Sequence, residues 1–306
     1  MKKPIILAAL SLLALFAVTF YSCTTSKPVP SAQRVLSEQS NPNSTEVLVI
    51  AHRGDWRGAA ENSLRAFSNA IEMGCDIVEV DVRSTADGVL VVLHDATLDR
   101  TTEGKGEMAS FTAKQITSLH LKNGCGRVVD NSYVPTFEQV LELCKNKAVI
   151  HLDKGYDHFR KVYELAKKHD MVEQIMFKTS NNPQRVKADY GDLIDKLPYV
   201  PVVNLGGAKS MEFIKGHIEL GALAIECVIP KVTPEVLEQL EYIRNAGIKI
   251  CIGSMWSSAC GGHDDDAAVD NPDQNWGWIL EQGASQIMTD RPCELLEYLR
   301  SKRRHI

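Results

Sequence analysis

From residue 47 onward, short runs of β-branched and aliphatic residues alternate with longer segments whose apolar positions recur at helical spacing. The runs cover residues 47–51, 76–82, 148–153, 174–178, 200–205, 222–226, 248–253 and 285–289. Helical patterns fall at 61–73, 137–144, 158–168, 183–194, 210–220, 234–245, 276–282 and 293–300. In the segment 234–245, for example, Val236, Leu237, Leu240 and Ile243 are separated by charged residues, the signature of a helix with one buried face. Eight strand–helix units in about 260 residues match the count and size of a TIM (β/α)8 barrel, an α/β fold. A doubly wound open sheet is the structural alternative. One stretch breaks the alternation. After an extra run at 89–93, residues from about 95 to 135 carry two glycine-rich turns and predict a small insertion after the second strand.

The first residues follow a different pattern. Lys2 and Lys3 precede an apolar run over residues 5–21, which ends at Ser22-Cys23. A short basic start followed by an apolar stretch is the layout of an export signal, and a retained membrane anchor is the alternative. The cysteine directly after the run resembles a bacterial lipoprotein signal, in which Cys23 becomes the lipidated first residue. Phe20 and Tyr21 depart from that signal's usual residues. The expected division is a signal peptide at 1–22, a flexible tether at 23–45 and the barrel at 46–306. The tether reading rests on Ser, Thr, Pro, Asn and Gln between residues 24 and 45. Such a chain is exported to the periplasm or cell envelope, and acyl chains on Cys23 hold it to a membrane surface.

Composition narrows the functional classes. The chain is 44% apolar and 24% charged, with a formal charge of −5 that becomes −7 once Lys2 and Lys3 leave with the signal. These values exclude a disordered chain and a nucleic-acid partner held by bulk charge. Eight cysteines with no CxxC pair argue against a disulfide scaffold or a zinc ribbon.

In a barrel, chemistry gathers where strands end and βα loops begin. Several of those ends carry polar residues: His52-Arg53-Gly54, Glu79-Val80-Asp81, His94-Asp95, Asp153-Lys154, Lys178, Glu226 and Thr289-Asp290-Arg291-Pro292. Side chains alternate along a strand, so Glu79 and Asp81 share the inward face if Val78, Val80 and Val82 face the helices. Two inward carboxylates are costly without a balancing cation or arginine. Oxygen donors without cysteine or a matched histidine pair point to a hard cation, Mg2+, Ca2+ or Mn2+.

The order His52-Arg53-Gly54, Glu61-Asn62-Ser63-Leu64, Glu79-Val80-Asp81-Val82, Thr85-Ala86-Asp87-Gly88, His94-Asp95 and Leu98-Asp99-Arg100-Thr101-Thr102 resembles the glycerophosphodiester phosphodiesterase family. The resemblance continues through Val134-Pro135-Thr136-Phe137 and the closing Thr289-Asp290-Arg291-Pro292. It implies a TIM barrel that hydrolyses glycerophosphodiesters to glycerol 3-phosphate and an alcohol, using one divalent cation and two histidines. By that resemblance His52 and His94 are the acid–base pair, and Glu79, Asp81 and Asp153 are metal ligands. Arg53 contacts the phosphate, Glu61 stands behind the metal ligands, and the insertion caps the site.

The chain departs from the family pattern in three places. The third strand usually carries glutamate, a spacer and lysine, whereas here Lys154 follows Asp153 at once; Lys178 is then the candidate for the substrate-facing charge. The seventh-strand Trp-Thr-Val-Asn is replaced by Gly253-Ser254-Met255-Trp256. A long acidic loop, 261–278, lies on the expected catalytic rim. Its aspartates read as caps of the following helix, and Trp276, Trp278 and His263 are candidates for selecting the alcohol headgroup. Histidines 120, 151, 158, 169, 217 and 305 read as surface or packing residues. Rival readings are a phosphatidylinositol-specific phospholipase C-like enzyme and a non-catalytic binding barrel.

Overall fold

A computed structural model describes residues 31–306. The signal sequence and Cys23 lie outside the described residues.

In chain order, β1 (Leu48–Ala51) and β2 (Ile77–Ser84) are followed by the short β3 (Leu90–Val92) and the hairpin β4 (His120–Lys122) and β5 (Val128–Tyr133). Then come β6 (Val149–Asp153), β7 (Ile175–Thr179), β8 (Tyr199–Asn204), β9 (Ala224–Val228), β10 (Lys249–Gly253) and β11 (Ala284–Thr289). Strands β1, β2 and β6 to β11 pair in parallel, each with the next, and β11 returns to β1 to close the barrel. The helices are α1 (Ala32–Ser40), α2 (Leu64–Met73), α3 (Ala113–Ile116), α4 (Phe137–Cys144), α5 (Phe159–His169), α6 (Pro183–Tyr190), α7 (Ser210–Glu219), α8 (Pro234–Asn245), α9 (Asp265–Asp270), α10 (Trp276–Glu281) and α11 (Pro292–Ser301). This is the expected TIM barrel, with strand positions within two residues of the sequence reading.

Local chemistry sets the boundaries. Ser63 caps α2 by accepting the Ala66 N–H, and Thr136 and Gln139 cap α4 reciprocally. Asn182 and Thr233 cap α6 and α8, each of which starts on a proline. The principal core lies between barrel and helices, where Val78, Val80 and Val82 of β2 pack with Phe67, Phe137 and Val140. Their outward orientation leaves Glu79 and Asp81 facing the barrel interior.

The tether expected at 23–45 is corrected in its second half. Ser31 caps α1, and Ala32, Val35 and Gln39 form its buried face. Val35 joins Leu48, Ile50, Ile77, Val149, Met176 and Cys251 inside the barrel, where it stops the floor at the strand starts. Arg34 pairs with Glu46 and with fully buried Asp76, which also holds His305 Nε2 at 2.9 Å and accepts the Val49 N–H at 2.8 Å. The composition of this segment is polar, but its three buried positions suffice because the barrel supplies the apolar partner.

The insertion adds β3 antiparallel to β2 and then the β4–β5 hairpin. It has its own apolar cluster of Leu93, Leu98, Met108, Ile116, Leu121 and Val134, which also takes in Ala60 from the loop after β1.

Candidate active site

Strand β2 carries Glu79 and Asp81, and Asp153 closes the neighbouring β6. Register pairs Asp81 with Asp153 and Glu79 with His151. One ligand oxygen from each of Glu79, Asp81 and Asp153 lies within 4.8 Å of the other two. The turn after β1 is built around them. Arg53 adopts a left-handed backbone (φ 54°) and donates its N–H to Glu79 Oε2 at 2.8 Å, while its guanidinium lies 3.6 Å from Asp81. Such strain in a non-glycine residue costs about 1–3 kcal/mol and persists only where surrounding contacts fix it. Gly54 follows because a Cβ there would lie 2.7 Å from the Ala66 backbone. Asn62, also left-handed, donates to Asp81 Oδ2 at 2.7 Å and accepts the Asp81 N–H at 3.2 Å.

These residues fit a divalent cation on two grounds. Asp81 Oδ1 is buried without a hydrogen-bond partner, an arrangement expensive in a low-dielectric interior unless another donor or ion meets it. Charge points the same way: the carboxylates Glu79, Asp81, Asp153 and Glu226 outnumber the cations Lys178 and Arg53 beside them, an excess that a dication would offset. Burial first, then the Asp81 and Asp153 charges, push the Glu79 carboxyl well above its ordinary range. Burial also opposes ionisation of Asp153, but Lys178 and Lys154 outweigh it and hold that carboxyl below the usual range.

The two expected histidines flank this cluster, His52 just after β1 and His94 just after β3, on either side of β2. Each is held at Nδ1 by its own carboxylate. His52 Nδ1 lies 2.8 Å from Asp290 Oδ1, which also accepts the Trp56 indole N–H at 2.6 Å. His94 Nδ1 lies 2.7 Å from Asp95 Oδ1. Arg100 clamps Asp95 and Glu61 through contacts of 2.6–2.8 Å, and Arg53 reaches Glu61 at 3.0 Å. Hydrogen bonds and charge from Arg100, with help from His94, hold Asp95 well below the carboxylate range even against its desolvation. Glu61 therefore ties Arg53 to Arg100 of the insertion.

Lys178, the candidate for the substrate-facing charge, stands among carboxylates. Its Nζ is buried and taken by Glu226 at 3.0 Å and Asp153 at 3.3 Å. Burial disfavours the ammonium, yet Glu226, Asp153 and Glu79 raise its pKa above the ordinary lysine value. The third strand's departure now has a structural form: the inward positions carry His151 and Asp153, and the lysine comes from the next strand. Lys154 points to solvent.

His151, expected on the surface or in packing, lies fully buried inside the barrel, with neither ring nitrogen hydrogen-bonded and Glu226 at 3.7 Å. Burial lowers its pKa to about 3, so it is neutral. Its parity with Asp153 along β6 is the sequence signal that identifies it as inward.

The loop aromatics are also corrected. Trp276 is 2% exposed and so buried away from any substrate, and His263 stacks on Trp278 with centroids 4.0 Å apart. The rim aromatic is Trp256, 52% exposed and edge-on to His52 at 5.4 Å. Asp290, the partner of His52, was visible in the sequence only as part of the closing motif.

Residues 52–189 match the sequence model of the Glycerophosphoryl diester phosphodiesterase family, and residues 199–299 match that of a domain of unknown function. A glycerophosphodiester phosphodiesterase of Caldanaerobacter subterraneus subsp. tengcongensis is 44% identical over 102 residues, covering 33% of this chain and 42% of that protein. The chain spans about half the length of the curated relatives it matches. The crystal structure of a glycerophosphoryl diester phosphodiesterase from Parabacteroides distasonis ATCC 8503 superposes with a TM-score of 0.73 at 23% identity, over 90% of this chain and 93% of that one. A phosphodiesterase from Oleispira antarctica, solved with the product sn-glycerol-3-phosphate, does so with a TM-score of 0.63 at 22% identity, over 83% and 96%. The barrel thus has the fold of these phosphodiesterases, and its first part, residues 52–189, is similar in sequence to the glycerophosphoryl diester phosphodiesterase family.

Proposed function

We propose that this chain hydrolyses glycerophosphodiesters to glycerol 3-phosphate and an alcohol, with His52 and His94 as the acid–base pair. The observation that carries the reading is the pair of carboxylate-held histidines on either side of the strand bearing Glu79 and Asp81. In the neutral tautomer that this bonding favours, each Nδ1 donates to its aspartate and each Nε2 is left to exchange a proton. One histidine, bare at Nε2, takes the proton of the attacking hydroxyl while the other, entering as the imidazolium, gives its Nε2 proton to the departing alkoxide, each step worth about 10²–10⁴-fold. Glu79, Asp81 and Asp153 would hold one divalent cation, Ca2+, Mg2+ or Mn2+, which would supply electrostatic stabilisation of negative charge on the phosphate. Arg53, fixed by Glu79, Asp81 and Glu61, brings a guanidinium to the same phosphate. The Oleispira antarctica phosphodiesterase, with its bound glycerol 3-phosphate, supports this product by analogy of fold. Export and acylation at Cys23 complete the reading.

The test is a diester panel with choline, ethanolamine, glycerol and inositol headgroups, assayed for glycerol 3-phosphate with and without chelator. Release that stops in chelator and returns with a divalent cation is expected. Hydrolysis of intact phosphatidylinositol instead of any deacylated diester would favour the phospholipase reading.

A further inference from the structure

The reading above makes no use of the acidic loop 261–278, yet its middle aspartate is buried, which is unusual for a loop carboxylate. Asp265 Oδ1 accepts the Ser254 hydroxyl at 2.6 Å and the Trp276 indole N–H at 3.0 Å. Its Oδ2 accepts the backbone N–H of Asp290 at 2.7 Å, and its own N–H donates to the Ser254 carbonyl at 2.7 Å. Ser254, Trp276 and Asp265 are each at most 2% exposed. A buried carboxylate costs several kcal/mol unless its oxygens are satisfied. Here both are satisfied, and one of them fixes the residue that holds His52. The neighbouring aspartates act elsewhere: Asp264 caps α9 through the Ala267 N–H, and Asp266 pairs with Arg291 at 2.7 Å.

We infer that Asp265 is a positioning residue for His52, acting through Asp290: it clamps the Asp290 backbone so that the Asp290 carboxylate meets His52 Nδ1 and leaves Nε2 open. The inference rests on the phosphodiesterase reading for its catalytic consequence. It also explains why a strand end that departs from the family's Trp-Thr-Val-Asn carries Ser254, the residue bonded to Asp265 twice.

The test compares the full chain with Asp265→Asn, Asp290→Asn, the double variant and His263→Ala, a change in the same loop outside this chain of hydrogen bonds. Asparagine keeps the shape of Asp265 but sets an N–H against either Asp290 or Trp276. We expect Asp265→Asn to lower kcat by roughly 10–10²-fold with KM within about threefold, the pattern of a lost transition-state interaction. The double variant should be no slower than Asp290→Asn alone, since both act on one contact. In ¹⁵N-histidine NMR spectra the His52 signals should pass from the Nδ1–H form to a tautomer mixture in Asp265→Asn and stay unchanged in His263→Ala. Losses that multiply in the double variant, or an unaltered His52 tautomer in Asp265→Asn, overturn the inference. The spectrum needs no substrate. An inactive parent whose His52 still responds refutes the reaction alone, and an active parent whose His52 does not respond refutes the coupling alone. If Asp265→Asn does not fold, Ser254→Ala carries the same test with a smaller step.

Discussion

A divalent cation should raise the melting temperature of this protein, and the rise should grow with pH. The ligand oxygens of Glu79, Asp81 and Asp153 lie within 4.8 Å of one another. Two full charges at that distance repel by about 3.5 kcal/mol at an effective dielectric near 20. Lys178 and Arg53 offset part of this, and Glu79 relieves the rest by retaining a proton well above its ordinary value of 4.5. The folded chain thus binds a proton that the unfolded chain has released. From pH 4.5 up to the raised folded value, this group makes stability fall as pH rises. A bound cation removes that penalty, so its benefit is smallest in acid and largest toward neutral and alkaline pH. At a hundred times Kd the cation contributes about 2.7 kcal/mol, which for a chain of this size is roughly 5 °C. Scanning fluorimetry in chelator, Ca2+, Mg2+ or Mn2+, at about pH 5 and about pH 8, measures it. Glu79→Gln should abolish the pH dependence. A shift that is absent with all three cations, or equal at both pH values, refutes the reasoning.

Other consequences are accessible to standard measurements. His52→Ala and His94→Ala should each lower kcat by at least ~10²-fold with an unchanged melting curve, and near-normal turnover in either would remove that histidine from the chemistry. Lys178→Met leaves Asp153 and Glu226 without their shared counter-ion and should cost about 3–5 kcal/mol in denaturant unfolding; adding Glu226→Leu should restore much of it. Arg34→Ala removes one of the three partners of Asp76 and should cost about 1–3 kcal/mol. Faster amide exchange in α1, with kcat unaltered, is the accompanying sign, and a loss of activity would show that the barrel floor and the site are coupled.

The barrel was legible because strand parity and helix periodicity are local. In β2 the outward valines alone assign Glu79 and Asp81 to the interior, and Gly54 marks the turn that no Cβ fits. What could not be read depends on distant partners. Asp290 meets His52 across 238 residues, and Asp265 meets Asp290 across 25, so neither role leaves a local pattern. Lys178 is legible as a strand-end charge, but its two carboxylate partners lie on neighbouring and next-but-one strands, which no local pattern reveals. Helix α1 leaves no pattern in the sequence because its buried face is Ala32, Val35 and Gln39, apolar enough only against a ready-made floor.

That floor helix also gives the molecule a direction. It lies across the strand starts, whereas the histidines and carboxylates stand at the strand ends. If Cys23 carries acyl chains, only residues 24–31 separate the bilayer from α1, and eight residues reach at most about 28 Å when fully extended. On that reading the tether would leave from the floor side of the barrel, opposite the mouth. A diester still rooted in the bilayer by its fatty acids would then lie on the side away from the mouth, while one already stripped of them would arrive freely from solution. Anchoring at that end would sort substrates by where they dissolve, before any side chain touches them.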